Sequence, residues 1–228
     1  MLRRRWCESW VAHLPPKFLV ENPKCIFIHI PKTGGTSIRK GVFNLYGRNV
    51  RSKWEDVPAA WKKCFKFAFV RNPYDRFVSG WKYFKGEKFL SFADFVQIAT
   101  GELSVADVCS LEDLRQGFPA RFRVHGGVAM AGFESLVESI TRSICHHTMP
   151  QYNHLKHANF VGRFENLQED FDKICGRLNI PKQKLPHLNK TNHKHYSSYY
   201  NKKIKMMADQ YYEEDLQKLG YHFNKEWL

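Results

Sequence analysis

The stretch Lys32-Thr33-Gly34-Gly35-Thr36-Ser37 concentrates groups that bind an oxyanion: a cation, two adjacent glycines and three hydroxyls within six residues. When such a loop leads into a helix, several backbone N–H groups converge on one point. The helix start adds partial positive charge, and the result is a phosphate cradle. Gly34 and Gly35 let the backbone approach an anion closely. Lys32 supplies a point charge, while Thr36 and Ser37 donate from their hydroxyls. The order separates this loop from the Walker A pattern, in which the lysine follows the last glycine. Here Lys32 precedes both glycines and sits on the strand side, from where it can reach the bridging oxygen at the 5′-phosphate of a nucleotide donor.

A second constellation is Phe69-Val-Arg71-Asn-Pro-Tyr-Asp75-Arg76-Phe-Val-Ser79. Arg71 ends a strand-like run, and Ser79 follows about two helical turns later. Together they could clasp a second phosphate at the carboxyl edge of a sheet, where open α/β folds place ligands. The alternative is a buried structural arginine paired with Asp75. Asp75 and Arg76 read as structural pairing residues in either case.

Both constellations depend on elements that hold them. Cys25-Ile-Phe-Ile-His-Ile30 is a short apolar run rich in β-branched residues, which suits a strand buried on both faces. Pro31 ends it, and a helix is predicted over 38–46 with Ile38, Val42 and Leu45 on one side. Phe65–Val70 is a second strand, followed by a helix from Tyr74 to Phe84 with Pro73 suited to its first turn. Ser91 with Asp94 caps a helix that carries Phe92, Phe95, Val96 and Ala99 inward. Residues 101–132, broken by Gly117, Pro119, Gly126 and Gly127, read as loops and short helices and as a candidate acceptor-binding region. Residues 159–163 form a third strand candidate. Asn166, with Glu169 three positions on, is predicted to cap an amphipathic helix whose stripe is Leu167, Phe171, Ile174, Cys175 and Leu178. A basic loop over 181–195 leads to a last helix over 201–219, stopped by Gly220. Strands alternating with helices predict an α/β fold in three layers. Its central, mostly parallel sheet is flanked by helices around a P-loop-like nucleotide-binding core. Residues 1–23 read as a basic lead-in and 24–228 as a single domain.

The 228 residues suffice for one sizeable core, and 43% hydrophobic with 15% aromatic content excludes disorder. Thirty-six Lys and Arg against 22 Asp and Glu give a formal charge of +14, so the expected partner is anionic: a nucleotide, a nucleic acid, a polyanionic glycan or a membrane surface. No stretch approaches the roughly 20 apolar residues of a membrane span. The start Met1-Leu-Arg-Arg-Arg-Trp-Cys7 lacks the apolar segment of a signal peptide. A cytoplasmic protein is expected, or a lumenal one if an anchor precedes these residues. The six cysteines form no CxxC pair, and Cys25 and Cys175 read as small buried hydrophobes of a reducing compartment. Cys145-His146-His147 with His154 and His157 fits no common zinc spacing, and no metal is expected.

PKTGGTS followed by VRNPYDRFVS resembles the paired nucleotide signatures of the sulfotransferases that use 3′-phosphoadenosine-5′-phosphosulfate (PAPS). His147-Thr-Met-Pro-Gln151, Val161-Gly-Arg-Phe-Glu-Asn-Leu167 and His187-Leu-Asn-Lys-Thr191 followed by Tyr199-Tyr200 resemble the branch containing carbohydrate sulfotransferases and related bacterial enzymes. The likeness spans residues 24–223. It implies that Lys32 holds the leaving bridging oxygen and that Thr33, Gly34, Gly35, Thr36 and Ser37 hold the 5′-phosphate. By the same likeness Arg71 and Ser79 bind the 3′-phosphate, and Lys190 closes over the nucleotide. Sulfuryl transfer of this kind relies on positioning and electrostatics, without a metal. The acceptor would be a hydroxyl or amine, with an anionic glycan or a small alcohol as candidates. The general base is His147 or Glu55: relatives often carry their base between the two signatures, an interval that holds Glu55 and Asp56 but no histidine. Two other readings remain open at this point, a P-loop-like nucleotide kinase and a basic nucleic-acid-binding protein.

Overall fold

A computed structural model describes residues 17–21, 24–41, 57–84, 88–117, 132–186, 188 and 194–224. In chain order the elements are β1 (Lys17–Val20), β2 (Cys25–Ile28), α1 (Gly35–Gly41), α2 (Ala59–Lys62), β3 (Phe65–Val70), α3 (Pro73–Tyr83) and α4 (Phe92–Thr100). There follow α5 (Leu111–Gly117), α6 (Phe133–Thr148), β4 (Phe160–Arg163), α7 (Leu167–Leu178), α8 (Lys202–Tyr211) and α9 (Glu213–Leu219). The chain divides into two compact units: Ala12–Asn72 with Gln151–Asn192, and Met1–Val11 with Pro73–Pro150 and His193–Leu228.

The first unit holds the sheet, in the order β1-β2-β3-β4. β2, β3 and β4 run parallel, with Cys25 beside Phe65 and Phe67 beside Phe160. β1 adds an antiparallel edge, Lys17 opposite Ile28. Every residue of β2 is buried, as a continuous apolar run on a parallel strand requires. α1 and α7 contribute Ile38, Phe171, Ile174 and Cys175 to a core with Phe18, Phe27, Phe67 and Phe69. Stacking of Phe27 on Phe67 across the β2–β3 pair, centroids 5.0 Å apart, adds to that burial. β3 and β4 approach closely because Gly162, opposite Phe69, has no Cβ: one there would stand 2.4 Å from the Phe69 ring. The Asp170 carboxylate accepts the Arg163 N–H at 2.8 Å and pairs with Lys173 at 2.6 Å, tying the start of α7 to the end of β4.

The second unit is helical. Its core joins Phe77, Trp81 and Phe84 of α3, Phe95 and Val96 of α4, Ile140 and Ile144 of α6, and Ile204 and Ala208 of α8. Arg76 is fully buried there and donates to the carbonyls of Thr148 and Met149, satisfying the end of α6. Ser91 caps α4 as expected, its Oγ accepting from Asp94 N at 3.1 Å.

The α/β class predicted above is therefore the observed one: a mostly parallel four-stranded sheet with helices packed on it. Several boundaries differ. Lys17–Val20, read as part of the lead-in, pairs as β1. α1 starts at Gly35 rather than at 38, and residues 42–50 lie outside the described part. Asn166 makes no side-chain cap, because Phe164–Asn166 already turns as a 3-10 helix into α7. The last helix is two, broken at Tyr212, whose ring packs into the core against Phe77 at 4.7 Å. Gly220 ends the second.

Candidate nucleotide-binding site

The loop between β2 and α1 belongs wholly to the first unit. It is built from two left-handed residues, Lys32 (φ 71°) and Gly34 (φ 81°). Glycine adopts that conformation without cost, whereas a lysine there stores on the order of 1–3 kcal/mol that the surrounding structure has to offset. Gly34 O receives Ser37 N at 3.0 Å and Ile38 N at 3.5 Å. The N–H groups of Gly35 and Thr36 thus precede the first helical hydrogen bond of α1. No acidic residue stands in that first turn. Gly35 is needed for a different reason: a Cβ there would lie 2.0 Å from Cδ2 of His29, whose ring packs against Phe18 and Phe27.

The side chains divide their work. The Thr33 hydroxyl is buried and donates to Ile30 O at 2.8 Å, closing the turn. The Thr33 hydroxyl therefore serves the loop's shape. Ser37 Oγ also accepts Leu188 N at 3.4 Å, which ties Leu188 to the start of α1. Lys190 of that loop lies outside the described residues, as does Glu55.

Arg71 is the first residue beyond β3, and the structure joins it to the glycine loop. Its Nη1 donates to Lys32 O at 3.2 Å, and its guanidinium carbon stands 4.1 Å from the centroid of the Phe164 ring. Its own peptide is gripped by the Gln151 amide: Oε1 accepts Arg71 N–H and Nε2 donates to Arg71 O, both at 2.9 Å. Asn72 N–H donates to Glu165 Oε1 at 2.7 Å. Lys32, Thr33, Gly34, Gly35, Thr36, Ser37 and Arg71 are thus assembled in one unit at the carboxyl ends of parallel strands. Gln151, Phe164 and Glu165 are partners that the sequence reading did not single out, although all three lie inside segments quoted for the resemblance.

Ser79 and His147 lie in the second unit. Ser79 is buried in α3. His147 sits in the last turn of α6, its ring against Tyr83 and Phe84 at 5.0 and 5.3 Å. His147 Nδ1 is 2.8 Å from Ser143 O. A carbonyl only accepts, so Nδ1 carries the proton and Nε2 is the basic nitrogen of the neutral ring. Among the described residues no group of three or more His, Cys, Asp or Glu side chains could hold a metal ion. No helix among them is long and apolar enough to cross a membrane.

Comparison with curated proteins and with solved structures returns no match. The family model described as the sulfotransferase family matches residues 17–222, a span that takes in β1, the glycine loop, Arg71 and every segment quoted for the resemblance. With that match over most of its length, and with the two nucleotide signatures on a mixed α/β fold, the chain belongs to the sulfotransferase family.

Proposed function

We propose that the donor is PAPS and that the protein transfers its sulfuryl group to a hydroxyl or amine of an acceptor. The observation that carries this reading is the loop itself. Lys32, the N–H groups at the start of α1 and the hydroxyls of Thr36 and Ser37 form a donor-rich set without an acidic residue in the first turn, with Arg71 bonded to the Lys32 carbonyl. Such a set fits an anionic phosphosulfate.

Bound PAPS supplies the sulfuryl group and a bisphosphate nucleotide that leaves. In this reading Lys32 meets the negative charge that grows on the leaving oxygen, and the start of α1 holds the 5′-phosphate. Arg71 and Ser79 take the 3′-phosphate, and Lys190 covers the nucleotide; for Ser79 and Lys190 the support is the order of the motifs. His147 is the first choice for the base that receives the acceptor proton, at Nε2, because its Nδ1–H is committed to Ser143 O. Glu55 is the second. The +14 charge favours an anionic glycan as acceptor over a small alcohol. The free thiols Cys25, Cys109 and Cys175, all buried, suit a reducing compartment and hence a cytoplasmic protein.

The test is transfer of label from ³⁵S-PAPS across a panel of anionic glycans, neutral glycans, small alcohols, phenols and amines. Labelled product with at least one acceptor, abolished by excess adenosine 3′,5′-bisphosphate (PAP), is expected. Label transferred from a γ-³²P-nucleotide instead would replace the reading with phosphoryl transfer.

A further inference from the structure

Arg71 stands one residue past the end of the β3–β4 ladder, whose last pair is Val70 with Arg163. Its N–H and C=O nevertheless both have a ladder-like partner, supplied by one side chain from 80 residues away. Gln151 is fully buried, and its amide offers an acceptor and a donor in the arrangement a neighbouring strand would offer. A side chain lacking either function would lose one of these two bonds to Arg71. The guanidinium carbon lies 4.1 Å over the centroid of the Phe164 ring. That same ring touches the loop: a Cβ on Gly34 would lie 3.2 Å from Phe164 Cδ2. Glu165 then fixes the next N–H, that of Asn72.

We propose that Gln151 and Phe164 are positioning residues that aim Arg71, and that they thereby set how strongly a nucleotide carrying a 3′-phosphate is preferred. The inference rests on the reading of Arg71 as a 3′-phosphate ligand. Gln151 fixes the backbone from which the side chain springs, and Phe164 fixes the orientation of its donors. Removing either leaves the charge in place but loses the aim, and a charged hydrogen bond depends on both distance and angle. A purely structural role would act differently. It would lower stability while leaving the ratio of affinities between two nucleotides unchanged.

The experiment titrates PAP and adenosine 5′-monophosphate, which differ in the 3′-phosphate, into the wild type and into Gln151→Met, Phe164→Leu and Phe164→Tyr. Denaturant unfolding of each variant runs alongside. The Met and Leu variants should lower the ratio of PAP to monophosphate affinity at least about tenfold, and Phe164→Tyr, which keeps the ring, should stay within about twofold of wild type. If Gln151→Met does not fold, the Leu and Tyr pair decides. An unchanged ratio in the folded Met and Leu variants overturns the inference and leaves the site reading intact. A wild type with no preference for PAP overturns the 3′-phosphate reading itself, and the inference with it.

Discussion

Gly35→Ala places one methyl group at the tightest point of the loop. The new Cβ would stand 2.0 Å from His29 Cδ2 and 2.2 Å from Nε2, whereas carbon contacts are comfortable at roughly 3.5–4.0 Å. Ring or helix start has to retreat by about 1.5 Å. Phe18 and Phe27 pack against the ring, with centroids 5.9 and 5.6 Å away, and bar its retreat in their direction. In an unobstructed helix the same change stabilises by roughly 0.5–1 kcal/mol. Overpacking of this kind costs about 1–3 kcal/mol, so the sign should invert. A shift of the helix start would also stretch hydrogen bonds to a bound phosphate beyond their working range, and PAP affinity should fall by about tenfold or more. Urea unfolding and calorimetric titration with PAP measure the two effects. Adding His29→Ala should recover part of the lost stability, a coupling of about 0.5–3 kcal/mol in a double-mutant cycle. Gly35→Ala with wild-type stability and wild-type PAP affinity would refute the reasoning.

Further outcomes follow from the same structure. Lys32→Gly should be about 1 kcal/mol more stable than Lys32→Ala, because only glycine adopts the left-handed conformation freely; equal stabilities would contradict strain at that residue. Both variants should lose kcat more than PAPS affinity, and a normal kcat with a raised KM would remove Lys32 from the leaving-group role. His147→Ala should lower turnover at saturating PAPS by about a hundredfold while PAP still binds normally; if Glu55→Gln does so instead, Glu55 is the base. Burial pushes the Cys25 thiol from 9.0 to about 12 and the Cys109 thiol from 9.0 to about 11, and also raises the Tyr74, Tyr200 and Tyr212 hydroxyls. The folded chain then holds protons that the unfolded chain releases, so stability is complete below about pH 9 and falls as pH rises towards 11–12. A urea midpoint unchanged between pH 8 and pH 10.5 would contradict the burial of these groups.

What the sequence revealed and what it concealed follow a physical division. The glycine loop was legible because its parts are consecutive: strand, lysine, two glycines and hydroxyls obey local rules. The distinct roles of the glycines were not, since Gly35 is explained by the His29 ring beside it and Gly34 by its dihedral angle. Cys25 and Cys175 were legible as core residues from their apolar settings. β1 was not, because four residues after a proline pair carry little signal until β2 lies opposite. Arg71 was legible as a site candidate from its place after a strand, whereas Gln151, which holds its backbone, lies 80 residues along the chain, and Glu165 lies 93 residues from its partner Asn72. Their hydrogen bonds go to backbone atoms of the strand end, a form of recognition that leaves no periodic trace. The break at Tyr212 likewise reflects tertiary packing, which overrides a continuous helical pattern.

The central claim, a site built for a 3′,5′-bisphosphate nucleotide, is tested most directly by the thermal shifts of the protein with PAP and with ATP at equal concentrations. Ligand at about a hundred times its Kd stabilises by about 2.7 kcal/mol, which is readily seen as a rise in Tm. The account predicts a large shift with PAP and a much smaller one with ATP. Equal shifts, or a larger one with ATP, would contradict it.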